Sequence, residues 1–144
     1  MDMAPSRNSL PRVVLVEDDD SLALLLRYNL EAIRFSVDRM SRGDVALKRL
    51  IAHPPTLVVL DWMLPGLAGI EILRQLRRNA RTRHLPVLML TGCASREERQ
   101  SALAYGANAY LAKPFAMGEL LTTIQRLCAD AELDRHLVKS QAVL

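Results

Sequence analysis

The 144-residue chain has few aromatic residues and few cysteines, and it has no long apolar run. Half of its residues are hydrophobic, yet no run approaches the roughly 20 apolar residues that a membrane-spanning helix needs. Cys93 and Cys128 fit no metal-binding spacing and are too few for a disulfide framework, so free thiols are expected. Residues 1–11 lack the apolar core of a signal peptide. The sequence therefore predicts one cytoplasmic domain behind a flexible N-terminal arm.

Lysine is also scarce, and arginine carries most of the positive charge. Only Lys48, Lys113 and Lys139 are lysines, and five arginines lie between Arg74 and Arg83 with no acidic residue among them. Such a stripe binds nucleic acid or an acidic partner in some proteins and is a solvated helix face in others. No aromatic residue interleaves with these arginines, which favours the solvated face. Direct nucleic-acid binding by this chain is not expected.

Short apolar runs alternate with amphipathic segments five times along the chain. Continuous apolar runs predict buried strands, and apolar residues at helical spacing predict helices. The predicted strands are 13–16, 35–40, 56–60, 85–90 and 109–112, and the predicted helices are 21–33, 43–52, 70–78, 96–106 and 117–129. The second strand is the most polar, as expected near a sheet edge. The pattern predicts an α/β fold in which helices cover both faces of a parallel sheet.

Polar residues follow every predicted strand, and those after four of the five could do chemistry, whereas Ser41 and Arg42 after the second are unremarkable. In parallel α/β sheets, chemistry collects at the carboxyl ends of the strands. The first strand runs into four acids, Glu17 to Asp20, and the third ends at Asp61. The fourth ends at Thr91, and the fifth runs into Lys113. Carboxylates, a hydroxyl and an ammonium group are therefore expected on one rim of the sheet.

The acidic residues of this rim predict a magnesium site. Carboxylates that meet at one point raise one another's pKa values unless a cation neutralises them. Mg²⁺ takes oxygen ligands and typically binds one or two carboxylates together with phosphate oxygens. Asp18 and Asp61 are the candidate direct ligands, and Glu17 is a candidate ligand through water. Asp20 is predicted instead to be the N-cap of the first helix, and Asp19 lies between the two roles.

Asp61 has two interpretations. Alone, it could start the turn formed with residues 64–66. Behind an apolar strand and beside the acidic residues, it is a candidate nucleophile that forms an aspartyl phosphate. That transfer depends on charge neutralisation and positioning. Lys113 could pair with the phosphoryl group and Thr91 could donate a hydrogen bond to it, although each alone would be an ordinary surface lysine or strand-end threonine.

Four motifs in this order resemble the receiver domain of bacterial two-component response regulators. They are VEDD (16–19), LDWMLPGLAGIEIL (60–73), LMLTG (88–92) and GANAYLAKPF (106–115). The similarity covers roughly residues 12–129 and is closest to the OmpR/PhoB type. It implies a flavodoxin-like (βα)₅ three-layer sandwich whose five-stranded parallel sheet has the order 2-1-3-4-5.

The resemblance also implies a phosphoacceptor and a metal site. Asp61 would take a phosphoryl group from the phosphohistidine of a histidine kinase or of a histidine phosphotransfer protein. Mg²⁺ would be held by Asp18, Asp61 and the backbone carbonyl of Met63, and by Glu17 through water.

A switch is implied as well. Lys113 and Thr91 would contact the phosphoryl group, and the bond between Lys113 and Pro114 would be cis, which proline makes accessible. Thr91 and Tyr110 would reorient together and alter the face formed by the fourth helix, fifth strand and fifth helix. A half-buried strand tyrosine is the simpler interpretation of Tyr110.

The chain departs from the OmpR/PhoB type at that face, through which these receivers dimerise by acid–base pairs. Asn108 and Ala109 stand where two acids are usual, and Thr123 stands where an arginine is usual. The pair of Arg99 with Glu119 is retained. A homodimer through this face is left open by the sequence.

Other functions remain as alternatives. A phosphorylation-independent interaction module would be favoured by a missing Asp or Lys, and neither is missing. A phosphatase with an Asp nucleophile would usually carry a second Asp two residues after Asp61, where Met63 stands. The chain is thus expected to catalyse only its own phosphorylation and dephosphorylation. Residues 130–144 are a helix extension or a disordered tail, too short for a DNA-binding domain. The chain is therefore either a stand-alone receiver or part of a longer regulator of transcription.

Overall fold

The computed structural model of the chain describes residues 10–92 and 95–143, with backbone alone for residues 135–143. Most of the predicted N-terminal arm and the predicted free thiol of Cys93 lie outside the described residues. Five strands alternate with five helices in the described part. They are β1 Arg12–Val16, α1 Asp20–Ala32, β2 Ser36–Met40, α2 Gly43–Ala52, β3 Leu57–Asp61, α3 Gly69–Arg78, β4 Val87–Thr91, α4 Arg96–Ala104, β5 Ala109–Ala112 and α5 Met117–Val143.

The five strands form one parallel sheet in the order β2-β1-β3-β4-β5. Asp61 at the end of β3 lies beside Leu90 of β4, and Thr91 lies beside Ala112 of β5. The strand order changes direction between β1 and β3, which places a crevice at their carboxyl ends. The predicted fold and strand order are confirmed, and the polar β2 is an edge strand.

Two apolar clusters fill the space on either side of the sheet. Alternate residues of β1 point to opposite faces, so Val14 and Val16 belong to one cluster and Val13 and Leu15 to the other. Helices α2, α3 and α4 cover the first cluster, and α1 and α5 cover the second. All residues of β3 and β4 are buried, because both of their faces are covered.

The start of α1 differs from the prediction. The N-cap is Asp19, whose backbone is extended and whose side chain accepts a hydrogen bond from the Leu22 N–H at 3.1 Å. Asp20 is the first helical residue and forms an ion pair with Arg39 at 2.9 Å. The prediction that Asp20 is the N-cap is therefore wrong. Asp19 and Asp20 can both cap a helix chemically. An N-cap residue has an extended backbone, and Asp19 is the one that has it.

Other element ends shift by a few residues. β4 begins at Val87 rather than at residue 85, and α4 ends at Ala104 rather than at 106. α5 has 27 residues and continues to Val143, beyond the predicted end at residue 129. Among the described residues, no helix combines the length and the apolar character needed to cross a bilayer.

Candidate functional site

Three carboxylates meet at the carboxyl end of the sheet. Glu17 and Asp18 directly follow β1, and Asp61 is the last residue of β3. One oxygen from each lies within 4.8 Å of the others. Glu17 is 0% exposed and Asp61 is 5% exposed, whereas Asp18 faces solvent. The central strand pair thus brings the predicted acidic residues together.

Lys113 bridges the two buried carboxylates. Its Nζ lies 2.7 Å from Glu17 Oε1 and 3.2 Å from Asp61 Oδ2. Its backbone N–H donates to the Thr91 carbonyl at 2.6 Å, and its bond to Pro114 is cis. The loop after β5 therefore delivers the ammonium group directly to Asp61.

The charges of this group are unbalanced, because one ammonium faces two buried carboxylates. Burial and the neighbouring Asp61 raise the pKa of Glu17 to about 7, although Lys113 works in the opposite direction. Burial acts to lower the pKa of Lys113, but its contacts with Glu17 and Asp61 outweigh this and raise it. Glu17 is thus the group that takes up a proton near neutral pH.

The arrangement fits a hard divalent cation. The second oxygen of Glu17, Oε2, is buried and has no hydrogen-bond partner among the described residues. A buried polar atom without a partner is costly, and a cation would supply the missing interaction. Mg²⁺ prefers carboxylate oxygens and retains water, and the exposed Asp18 leaves one side of the group open to solvent. The roles assigned to Asp18, Asp61, Glu17 and the Met63 carbonyl stay predictions.

Thr91 lies on the neighbouring strand and is 1% exposed. Its hydroxyl donates a hydrogen bond to Glu98 Oε2 of α4 at 3.2 Å. Tyr110, two residues before the β5 partner of Thr91, is partly buried against the cluster under α2, α3 and α4. The joint reorientation of Thr91 and Tyr110 stays a prediction.

Two further residues contact the site through side chains that the sequence does not single out. Arg39 of β2 donates from Nε to the Glu17 carbonyl at 2.9 Å while its other nitrogen binds Asp20, so it holds the acidic loop in place. Its only sequence signal is an arginine inside an edge strand. Glu98 was missed because the pattern Ser95-x-x-Glu98 predicts only a capping role at the start of a helix. That capping contact is present as well, since the Ser95 hydroxyl accepts from the Glu98 N–H at 3.1 Å.

The arginine cluster is partly internal. Arg77 donates to the Gly106 carbonyl at 2.8 Å and to Asn108 Oδ1 at 2.9 Å, and burial lowers its pKa. The Arg74 guanidinium lies 5.4 Å from the ring centre of Tyr105. The predicted solvated face therefore omitted these contacts between α3 and the segment that joins α4 to β5. They also give Asn108 a structural role, because its amide oxygen accepts hydrogen bonds from Arg77 and from the Val87 N–H.

The loop after Asp61 depends on a close backbone contact. Gly69, the first residue of α3, donates its N–H to the Trp62 carbonyl at 2.9 Å. A Cβ at Gly69 would lie 2.1 Å from the carbonyl oxygen of Asp61, which is backbone and cannot swing aside. The glycine therefore allows α3 to start directly against the strand that carries Asp61.

Gly69→Ala is expected to destabilise the protein by about 1–3 kcal/mol, as overpacking in a closed site does. Urea unfolding measures this. Gly118→Ala is the control, since a Cβ there meets nothing within 4 Å and alanine favours helix. Equal stability of the two variants would contradict the close contact at Gly69.

Comparison with known proteins identifies the family. The response regulator receiver domain matches residues 13–125. The chain belongs to this family. It is thus a receiver domain of two-component signalling, and receiver domains of this family interact with histidine kinases.

Two curated relatives are regulators of the PhoB group, which confirms the resemblance to the OmpR/PhoB type. The phosphate regulon transcriptional regulatory protein PhoB of Rhizobium meliloti is 44% identical over 141 residues, covering 88% of this chain and 62% of the relative. Its Escherichia coli counterpart is 37% identical over 114 residues, covering 79% of this chain and 50% of the relative. The chain thus spans one half to about three fifths of these relatives.

Solved receiver structures have the same architecture. A putative response regulator from Chloroflexus aurantiacus superposes with a TM-score of 0.80 at 31% identity, covering 84% of this chain and 99% of that one. The receiver domain of a Pseudomonas aeruginosa sensor histidine kinase gives a TM-score of 0.77 at 28% identity, with coverages of 84% and 99%. That structure is described with a magnesium ion coordinated in the active site cleft.

Proposed function

We propose that this receiver accepts a phosphoryl group on Asp61 from the phosphohistidine of a histidine kinase or histidine phosphotransfer protein, in a reaction that requires Mg²⁺. The observation that carries the proposal is the contact of Lys113 Nζ with Asp61 Oδ2 and Glu17 Oε1. Beside it lies a buried Glu17 oxygen that has no hydrogen-bond partner in the described part of the chain. Phosphoryl transfer needs a nucleophilic carboxylate, a cation beside it and oxygen atoms that can bind Mg²⁺.

In the proposed step, a carboxylate oxygen of Asp61 attacks phosphorus. A P–O bond to Asp61 forms, the P–N bond to the donor imidazole breaks, and the imidazole takes a proton. Lys113 begins on Asp61 Oδ2 and would extend its contact to a phosphoryl oxygen. Mg²⁺, held by the acidic residues, would neutralise charge on the phosphoryl oxygens. The Thr91 hydroxyl would donate to the product.

The proposed reaction has no separate substrate to turn over. The chain's own Asp61 is modified, and hydrolysis of the aspartyl phosphate restores the carboxylate. Thus the chain would catalyse its own phosphorylation and dephosphorylation and would not be an enzyme in the usual sense.

We further propose that the output is control of transcription in the cytoplasm. Relatives from Rhizobium meliloti and Escherichia coli are transcriptional regulatory proteins that are longer than this chain. This similarity favours an output through the face of α4, β5 and α5 over the stand-alone alternative. Arg99 and Glu119 would supply one acid–base pair for a homodimer there, whereas Asn108 accepts a hydrogen bond from Arg77 within the chain.

Acetyl phosphate is the small-molecule donor that tests the phosphoacceptor. Incubation with Mg²⁺ is expected to add one phosphoryl group per chain, seen by intact-mass spectrometry and located on the peptide that contains Asp61. EDTA is expected to abolish the addition. A chain that gains no phosphoryl group with Mg²⁺, or carries it on another peptide, would contradict the proposal.

Mg²⁺ affinity is expected to depend on pH through Glu17. Because the pKa of Glu17 is raised to about 7, protons compete with the cation below that pH, and affinity should fall up to about tenfold per pH unit there. Trp62, the only tryptophan, adjoins Asp61 and reports binding by its fluorescence.

Titrations at about pH 5.5 and about pH 8 therefore bracket the effect. The Glu17→Gln variant is the control, since it cannot titrate and should bind with little change between the two pH values. Equal wild-type affinities at both values would exclude this role of Glu17. A Trp62 signal that Mg²⁺ does not change at either value would count against a metal site beside Asp61.

A further inference from the structure

We infer that Glu98 is a positioning residue that holds the Thr91 hydroxyl on α4 and competes with the phosphoryl group for it. The inference rests on the proposed phosphorylation of Asp61. Its basis is the hydrogen bond from Thr91 Oγ1 to Glu98 Oε2, 3.2 Å long. This bond joins the end of β4 to the first turn of α4.

The hydroxyl cannot serve both acceptors at once. A threonine hydroxyl has a single proton to donate, so a bond to Glu98 excludes a bond from that proton to a phosphoryl oxygen. The carboxylate is a strong competitor, because bonds to ionised acceptors are stronger than bonds between neutral groups. Thr91 is 1% exposed, and water therefore has little access to replace either acceptor.

The position of Glu98 is fixed by its own helix. Its N–H donates to the Ser95 hydroxyl at 3.1 Å, and Ser95 is the N-cap of α4. The carboxylate is thus presented from the first turn of α4, and it is only partly exposed. If the Thr91 hydroxyl donated to a phosphoryl oxygen in place of Glu98, this tie between β4 and α4 would break.

The tie makes the unphosphorylated state more stable relative to the phosphorylated one. A ligand shifts a two-state equilibrium by its differential interaction with the two states, so an interaction present only in the unmodified state opposes phosphorylation. Glu98 would therefore raise the concentration of phosphoryl mimic needed to occupy the site. Its removal should have the opposite effect.

Beryllofluoride, a tetrahedral phosphoryl mimic, tests this on the full chain with Mg²⁺ and Trp62 fluorescence as the readout. Glu98→Ala is expected to bind it about tenfold more tightly than wild type, as the loss of one competing charged hydrogen bond implies. Glu98→Gln retains an acceptor without the charge and should fall between the two. Glu97→Ala, an exposed acid in the same turn, should match wild type.

The decisive comparison repeats Glu98→Ala in a Thr91→Ala background. There the hydroxyl is absent, and the substitution should change affinity by less than about twofold. An equal gain in both backgrounds, or a gain also in Glu97→Ala, would overturn the inference by assigning the effect to charge alone. Wild-type affinity in both Glu98 variants would overturn it too. A wild-type chain that accepts neither beryllofluoride nor a phosphoryl group would overturn the proposed function as well.

Discussion

Asp61→Asn is expected to take up no phosphoryl group from acetyl phosphate while becoming more stable in the absence of Mg²⁺. The first effect follows because an amide is far less nucleophilic than a carboxylate. The second follows because Asp61 raises the pKa of Glu17 by hydrogen bonding and charge. In the variant, Lys113 faces Glu17 as its single carboxylate partner.

The expected gain in the free energy of unfolding is about 1–2 kcal/mol at pH above about 7, where Glu17 of the wild type is ionised beside Asp61. The gain should shrink towards acidic pH. A Glu17 whose folded-state pKa is raised stabilises the fold below its ordinary pKa of 4.5, and that contribution is lost as the pH rises through about 7. Removing Asp61 lowers the raised pKa and so recovers stability at alkaline pH.

Intact-mass spectrometry and urea unfolding in EDTA measure the two effects on the same samples. Asp20→Asn is the matched control, since Asp20 is an exposed acid at the start of α1, outside the carboxylate cluster, and pairs with Arg39. It should keep phosphoryl uptake and show no gain in stability. Phosphoryl uptake by Asp61→Asn would exclude Asp61 as the acceptor. A variant less stable than wild type would show that repulsion between Asp61 and Glu17 does not destabilise the fold.

Lys113→Ala is expected to slow phosphoryl uptake by about 10²–10³-fold, the usual cost of removing one group that stabilises developing charge. Lys113 lies 3.2 Å from Asp61 Oδ2, so the variant loses the cation nearest the nucleophile. The same change leaves Glu17 and Asp61 buried without an ammonium partner. Breaking such a pair should cost about 1–3 kcal/mol of stability, less than for a fully buried lysine because Lys113 is 25% exposed.

The sign of the pH dependence separates this effect from a general loss of structure. Lys113 lowers the pKa of Glu17, so its removal lets Glu17 hold a proton to higher pH. The variant should therefore lose more stability above about pH 7 than below about pH 5, where Glu17 is protonated in both proteins. Denaturant midpoints across this range give the profile.

Lys48→Ala is the control for loss of a lysine, because Lys48 is exposed on α2. It should match wild type in both measurements. Lys113→Arg retains the positive charge in a side chain of different shape. It should therefore restore the stability lost in Lys113→Ala more fully than it restores the rate of phosphoryl uptake. A rate in Lys113→Ala equal to that of wild type would remove Lys113 from the proposed transfer.

The sequence predicts the framework of the site because the continuous apolar runs mark the strands and the helical spacing of apolar residues marks the helices. Continuous apolar runs separated by amphipathic segments require a parallel sheet covered on both faces, which the structure has. The carboxyl ends of such strands lie on one rim, so Glu17, Asp61, Thr91 and Lys113 could be expected together before any contact was known.

Contacts between side chains from distant elements are not predictable in this way. Asp19 and Asp20 are equivalent by composition, and only the backbone conformation makes Asp19 the cap. Arg77 of α3 donates to Gly106 and Asn108 in the loop before β5, and nothing in the spacing of these residues indicates the contact. Such pairs depend on the position and angle at which each helix packs on the sheet, and the packing of the whole core determines these.

By itself, the sequence determined the parallel sheet covered by helices and its acidic rim, because both follow from residue types at regular spacing. The family was recognised differently, from the resemblance of four motifs to receiver domains. Only the tertiary structure decided the electrostatics of that rim. It set Lys113 between Glu17 and Asp61, left one Glu17 oxygen without a partner among the described residues, and tied Thr91 to Glu98. The physical reason is burial: exclusion of water raises the pKa of Glu17 and leaves its second oxygen available to a cation.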